Sequence, residues 1–193
     1  MSNWNFAEVW ETVAAVRADA PAVIQGRRRL TWGQFDARAN GVARQLLAAG
    51  LGPQAKVAQY LYNCPEYLES VYASFKAGLV PVNTNYRYTP AELEYLWGNA
   101  DVEAVVFDAG FLDRVEELRG RLAAEGRKIK LWLAVGAPET VPAWATPYED
   151  AASAGQPGQR VAGEWGRSGD DLLLVYTGGT TWMPKGVTWR QDD

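Results

Sequence analysis

Two periods of apolar residues alternate along the chain. After Asn5, a residue that caps helices, Phe6, Val9, Trp10, Val13 and Val16 recur at helical spacing, and Pro21 closes the run. Ala22-Val23-Ile24 and Arg29-Leu30 flank Gly26-Arg27, which reads as a hairpin. Thr31 and Gln34 form a capping box for a second helix, whose inward residues are Phe35, Ala39, Val42, Leu46 and Leu47 and whose end is Gly50. A strand follows over 57–62. Pro65 opens a third helix with Leu68, Val71, Tyr72 and Phe75 on its buried side, and Gly78 stops it.

The second half repeats the alternation. Residues 79–82 read as a short strand. Thr89-Pro90-Ala91-Glu92 combines an N-cap, an N1 proline and a capping-box glutamate. Strands are expected over 103–107 and 129–135, with an amphipathic helix from Phe111 to Ala124 between them. From Gly136 to Gly169 the chain is rich in Pro, Gly and Ala, which predicts a surface connection with one helical turn over 148–152. Alternating strands and helices imply an α/β fold with a mostly parallel sheet flanked by helices. No repeat of fixed period occurs, and the glycine signature of a dinucleotide site is absent.

Composition removes several kinds of chemistry. The chain has 193 residues, one cysteine and no histidine. A Ser-His-Asp triad, a Cys-His dyad, a histidine metal site and an internal disulfide framework are therefore excluded. Cys64 stands just before a helix; without a histidine partner it reads as a packing residue. A net charge of −4 gives no reason to expect nucleic acid. Three arginines, Arg27 to Arg29, sit at a turn and read as a solvated turn. No apolar run approaches the ~20 residues of a membrane span, and the N-terminus lacks the pattern of a signal peptide. These features predict a cytoplasmic protein with no membrane span.

The most specific stretch lies near the end. Leu172 to Tyr176 reads as a buried strand, and Thr177-Gly178-Gly179-Thr180-Thr181-Trp182-Met183-Pro184-Lys185-Gly186 follows. Adjacent glycines admit torsions closed to other residues, so successive N–H groups can converge on one anion. Threonine hydroxyls add donors and Lys185 adds a point charge. This is a polyphosphate cradle, but not a Walker loop, which needs Ser or Thr directly after a lysine that opens a helix. Here Gly186 follows the lysine, and Val187-Thr188-Trp189 reads as another strand, so the loop joins two strands.

The run resembles the phosphate loop of the acyl-adenylate-forming (AMP-binding) enzymes, Thr-Ser/Gly-Gly-Thr-Thr-Gly-x-Pro-Lys-Gly. Thr177, Gly178, Gly179, Thr180, Thr181, Pro184, Lys185 and Gly186 match, and Trp182 stands where the family has a small residue. Further elements are similar in the family's order: Leu30 to Phe35, Phe75 to Asn83, and Val82 to Thr89. Together with Tyr176 to Gly179 and Trp189 to Asp193, they resemble acyl-CoA synthetases of the fatty-acid or steroid-side-chain type found in actinobacteria.

The resemblance implies that residues 1–193 are the N-terminal part of an AMP-binding domain, with the phosphate loop at 176–186 near its end. It implies ATP, Mg2+ and CoA as the parent family's cofactors and a fatty or steroid-side-chain carboxylic acid as partner. A homodimer is admitted. The nucleotide contacts fall to Thr177, Gly178, Gly179, Thr180, Thr181, Lys185 and Gly186. No residue receives a catalytic or metal-binding role, because the family places those groups after this loop. The chain therefore reads as a truncated acid–CoA ligase, inactive in isolation and with the cofactors not necessarily bound by it. The alternative is a non-catalytic, degenerate scaffold or dimerisation domain.

Overall fold

The computed structural model describes residues 4–177 and 184–193. The chain opens with helix α1 (Phe6–Val16), a two-stranded hairpin of β1 (Pro21–Gln25) and β2 (Arg28–Thr31), and helix α2 (Trp32–Ala48). There follow β3 (Lys56–Tyr60), α3 (Pro65–Ala77), β4 (Val80–Asn83), α4 (Pro90–Asn99), β5 (Val102–Asp108) and α5 (Leu112–Ala124). The last part holds β6 (Leu131–Val135), β7 (Thr146–Pro147), α6 (Tyr148–Ser153), β8 (Leu172–Thr177) and β9 (Lys185–Arg190). Among the described residues, seven strands form one sheet in the order β7-β6-β5-β3-β4-β8-β9. Every neighbouring pair is parallel except β8 with β9. The α/β architecture and the mostly parallel sheet are as the alternation predicts.

Local signals set the helix ends. Asn5 accepts the Ala7 N–H at 2.8 Å and caps α1. In α2 the Thr31 hydroxyl accepts Gln34 N–H while the Gln34 side chain accepts Thr31 N–H, and Thr89 with Glu92 repeats the arrangement in α4. Gly78 ends α3 at φ 67°, a left-handed torsion that suits glycine.

The sheet separates two cores. Helices α1, α2, α3 and α6 cover one face, where Phe35, Leu46, Val57, Tyr72, Val106 and Leu133 pack together. Helices α4 and α5 cover the other, around Tyr60, Trp97, Phe107, Leu118 and Trp132. Burial at ~25 cal/mol per Å2 of apolar surface makes these two layers the main source of stability.

Three expectations fail here. Val16 is 74% exposed and Phe6 38%, because α1 turns its alanines Ala7 and Ala14 inward and leaves its ends at the rim. Leu68 is exposed, whereas Glu69, Ser70, Ser74 and Lys76 of the same helix are buried. Helix α3 has neighbours on more than one side, so its polar positions have been given partners instead of water. Residues 136–169 do not simply run over the surface: the expected turn forms as α6, but Tyr148, Ala152 and Val161 are buried, and the Arg167 side chain is fully enclosed.

That enclosure has an ionic centre. Lys76 Nζ lies 2.7 Å from Glu11 and 2.7 Å from Asp36 and over the Tyr72 ring. Arg167 donates two bonds of 2.8 Å to Glu11. Asp36 also accepts from Tyr72 OH, Asn40 and the Gly158 N–H. The network ties α1, α2 and α3 to the 158–167 segment.

Candidate phosphate-loop site

The candidate loop is strung between β8 and β9. These strands are antiparallel with Thr177 opposite Lys185 and Tyr176 opposite Gly186, so the expectation that the loop joins two strands holds. Strand β8 runs parallel to β4, with Leu174 beside Val82 and Val175 beside Asn83. Thr177 therefore emerges at the carboxyl ends of the parallel strands. From β3 the chain crosses through α3 to β4 on one side, then through α4 to β5 on the other. Ligands of open α/β sheets bind outside the carboxyl ends of strands, where the winding reverses in this way.

Of the predicted site residues, Thr177, Lys185 and Gly186 are described and exposed. Gly178, Gly179, Thr180, Thr181 and the departing Trp182 lie outside the described residues. Among the described residues no ion pair ties down Lys185. Gly186 also has a packing role that the motif does not reveal. A Cβ there would meet Tyr176 Cζ at 3.1 Å and Leu174 Cδ1 at 3.3 Å, so the glycine makes room for the Tyr176 ring. That ring is buried, and its hydroxyl donates to Asn99 Oδ1 at 2.7 Å, which fixes the end of β8 to α4. Burial, with Tyr95 and Asp101 nearby, pushes the Tyr176 phenol above its ordinary pKa.

Beside Tyr176 lies a cleft of about 340 Å3 lined by Asn63, Tyr67, Asn83, Asn85, Tyr88 and others. Apart from Leu61, its lining among the described residues is amide, hydroxyl and phenol, with no charged side chain. Such a surface suits neutral groups capable of hydrogen bonding. The 84–88 segment is held in place by Arg114, which donates to Tyr60 OH and to the Tyr86 carbonyl at 3.2 Å each. Among the described residues no group of three or more Asp, Glu, His or Cys side chains is arranged to hold a metal ion. The groups on hand for a nucleotide, a hydroxyl at Thr177 and an ammonium at Lys185 on facing strand ends, suit a phosphate accompanied by its magnesium ion. No helix among the described residues is long and apolar enough to cross a membrane.

The family described as AMP-binding enzyme matches residues 10–193. The chain belongs to it. Among curated relatives, this AMP-binding chain is 35% identical over 201 residues to the medium-chain acyl-CoA ligase Mig of Mycobacterium avium, covering 96% of this chain and 35% of that protein. It is 35% identical over 196 residues to the medium/long-chain-fatty-acid–CoA/3-oxocholest-4-en-26-oate–CoA ligase of Mycobacterium tuberculosis, covering 98% and 34%. The chain thus spans about a third of the length of these relatives. Its fold superposes on the anthranilate CoA ligase AuaEII, solved in complex with anthranoyl-AMP, with a TM-score of 0.86 at 24% identity, over 98% of this chain and 35% of that one. A Mycobacterium tuberculosis fatty acyl CoA synthetase gives 0.79 at 23% identity, over 97% and 34%. At those identities the two structures speak for the fold alone.

Cys64, at the N-cap of α3, makes no capping bond. Burial, with the Glu66 carboxylate beside it, pushes its thiol up to about 12. At pH 8 the native thiolate fraction is then ~10⁻⁴, against roughly a quarter for an unperturbed thiol. Iodoacetamide is expected to alkylate Cys64 about three orders of magnitude more slowly in the native protein than in urea. Equal rates, followed by mass spectrometry, would contradict a packing role.

Proposed function

We propose that residues 1–193 are the N-terminal part of the adenylating domain of an ATP-dependent acid–CoA ligase, with the loop 176–186 receiving the β- and γ-phosphates. Thr177, Gly178, Gly179, Thr180, Thr181, Lys185 and Gly186 are the proposed contacts. The supporting observation is the position of the run: its described ends, Thr177 and Lys185, face each other at the carboxyl ends of the parallel strands.

In the reaction of the whole ligase, the carboxylate oxygen attacks the α-phosphorus of ATP and pyrophosphate leaves. The CoA thiol then attacks the acyl carbonyl and AMP leaves. The chain's part is to hold the departing pyrophosphate: N–H groups, hydroxyls and Lys185 meet charge that grows on it as the bond breaks. Magnesium, when bound, neutralises further charge on the same oxygens. The relatives' names point to a fatty acid or a steroid side-chain acid as the class of substrate. We place the protein in the cytoplasm on the same reading. The 193-residue chain by itself is proposed to form no acyl-adenylate, since it spans only about a third of those relatives. A non-catalytic scaffold is favoured by one feature, Trp182 at a position where the family's loop is small.

Calorimetric titration with MgATP tests this. The wild-type chain is expected to bind weakly and Trp182→Gly to bind more tightly. Lys185→Ala in the glycine background should lose about tenfold or more, the worth of a hydrogen bond to a charged group. Equal affinity in all three proteins would remove the loop from nucleotide binding.

A further inference from the structure

We propose that Asp171 is a positioning residue, one whose carboxylate clasp sets the direction in which the β8–β9 hairpin carries the phosphate loop. The inference rests on the nucleotide reading above. Asp171 precedes β8 and is 8% exposed. Three donors from three separate segments converge on its carboxylate. Gln54 Nε2, from the turn before β3, donates to Oδ1 at 2.8 Å. Asn5 Nδ2, from the cap of α1, donates to Oδ2 at 3.2 Å, and Ser168 N–H donates to the same oxygen at 3.0 Å. Gln54 closes the clasp by accepting the Leu172 N–H at 3.1 Å. The Asp171 carbonyl accepts from Gln191 N–H, and the Gln191 side chain accepts the Phe6 N–H at 2.8 Å. The base of the hairpin, at both strands, is thereby joined to α1 and to the entry of β3.

Above its base the hairpin is tied to α4 by the Tyr176 hydroxyl, which donates to Asn99 Oδ1 at 2.7 Å. Its ladder to β4 has two register positions, Val82 with Leu174 and Asn83 with Val175. Strand β9 is exposed at every residue. A tilt at the base therefore bears mainly on β9, which pairs with β8 over six positions and begins at Lys185. A buried carboxylate bonded only to neutral donors is a poor source of stability; burial indeed pushes the Asp171 carboxyl above its ordinary pKa. What the group supplies is geometry, since no single amide or hydroxyl accepts from three directions at once.

The decisive variant is Asp171→Asn, of nearly the same shape, which turns an acceptor into a donor facing other donors. Gln54→Gly is the second, for the case that the first does not fold. Gln54 sits at φ 58°, where glycine is at ease, so both of its clasp bonds go without backbone strain. Val115→Ala, in the core under α5 and far in the chain from the hairpin, supplies a general loss of stability for comparison. Amide hydrogen exchange is measured in each, and MgATP affinity is measured in the Trp182→Gly background. Either clasp variant is expected to speed exchange over 172–177 and 185–190 by about tenfold while β3 and β5 keep their protection, and to weaken MgATP by roughly fivefold or more. Val115→Ala should do neither. Uniform acceleration across the sheet, or the same hairpin response in Val115→Ala, overturns the clasp. MgATP bound equally well with and without Asp171 overturns its positioning role. If the hairpin loosens as expected but the protein with Asp171 intact binds no MgATP, the clasp stands and the nucleotide reading is the part that fails.

Discussion

Lys76→Met is expected to lower the unfolding free energy by ~3–5 kcal/mol, a large share of the ~5–15 kcal/mol of an ordinary domain. Lys76 is fully buried. Its ammonium is shared by Glu11 and Asp36 at 2.7 Å each. Methionine fills much the same volume, so lost packing is small and the cost is electrostatic. Asp36 is left buried with neutral donors only, from Tyr72, Asn40 and Gly158. Glu11 keeps Arg167. Adding Asp36→Asn to Lys76→Met should recover part of the loss, because the stranded charge is removed. Urea denaturation of the three proteins measures this; a loss under about 1 kcal/mol in the single variant would show that the cluster is not the ionic centre it looks.

The same cluster has a pH signature. Burial pushes the Glu11 carboxyl up, but hydrogen bonds and attraction from Arg167 and Lys76 together outweigh it and hold the group below its ordinary value. A depressed carboxyl contributes stability above its unfolded pKa of ~4.3, and that stability disappears as pH falls through the lower native value. With Lys76 gone, less depression remains, so the acid-unfolding midpoint of Lys76→Met should rise.

Gly41→Ala is expected to destabilise by ~2 kcal/mol, although alanine is the better helix former by ~1 kcal/mol. Gly41 lies within α2, against α6. A Cβ there would clash with the Ala151 carbonyl and come within 2.9 Å of Ala152 O and Gly155 N. All three are backbone atoms, which cannot swing aside as a side chain can. Overpacking at ~1–3 kcal/mol therefore exceeds the propensity gain. Gly120→Ala in α5 is the control: a Cβ there meets nothing within 4 Å. That variant should gain ~0.5–1 kcal/mol. Opposite signs for one substitution in two helices, read from thermal unfolding, would confirm that α6 and α2 are in backbone contact. Stabilisation at both sites would mean that α6 does not dock as described.

Local chemistry made much of the fold legible in advance. Thr31 with Gln34, Thr89 with Glu92 and Gly78 act within a few residues of chain, so their pattern carries the helix ends that the structure displays. Strand patterns around Val57, Val82, Val105 and Leu133 likewise form the middle of the sheet. The setting of the loop motif was legible because the run lies between two strand patterns, and its described ends do fall on facing strands.

What escaped the sequence depends on partners far along the chain. Periodicity placed Leu68 inside, yet the interior positions of α3 include Glu69 and Lys76. Those charges are tolerable only because Arg38, Glu11 and Asp36 arrive from other helices. Residues 136–169 look like a connection by composition, but Gly41 and Gly155 let α6 pack against α2 and Arg167 reaches Glu11. Asp171 looks like one more acidic residue ahead of a strand; Asn5, Gln54 and Ser168 make it a clasp. The sequence by itself determined the elements, their caps and the two-strand setting of the loop motif, since each arises among near neighbours. Tertiary structure alone decided which polar residues could be buried and how the loop's hairpin is held, because burying a charge is favourable only where distant groups converge to satisfy it.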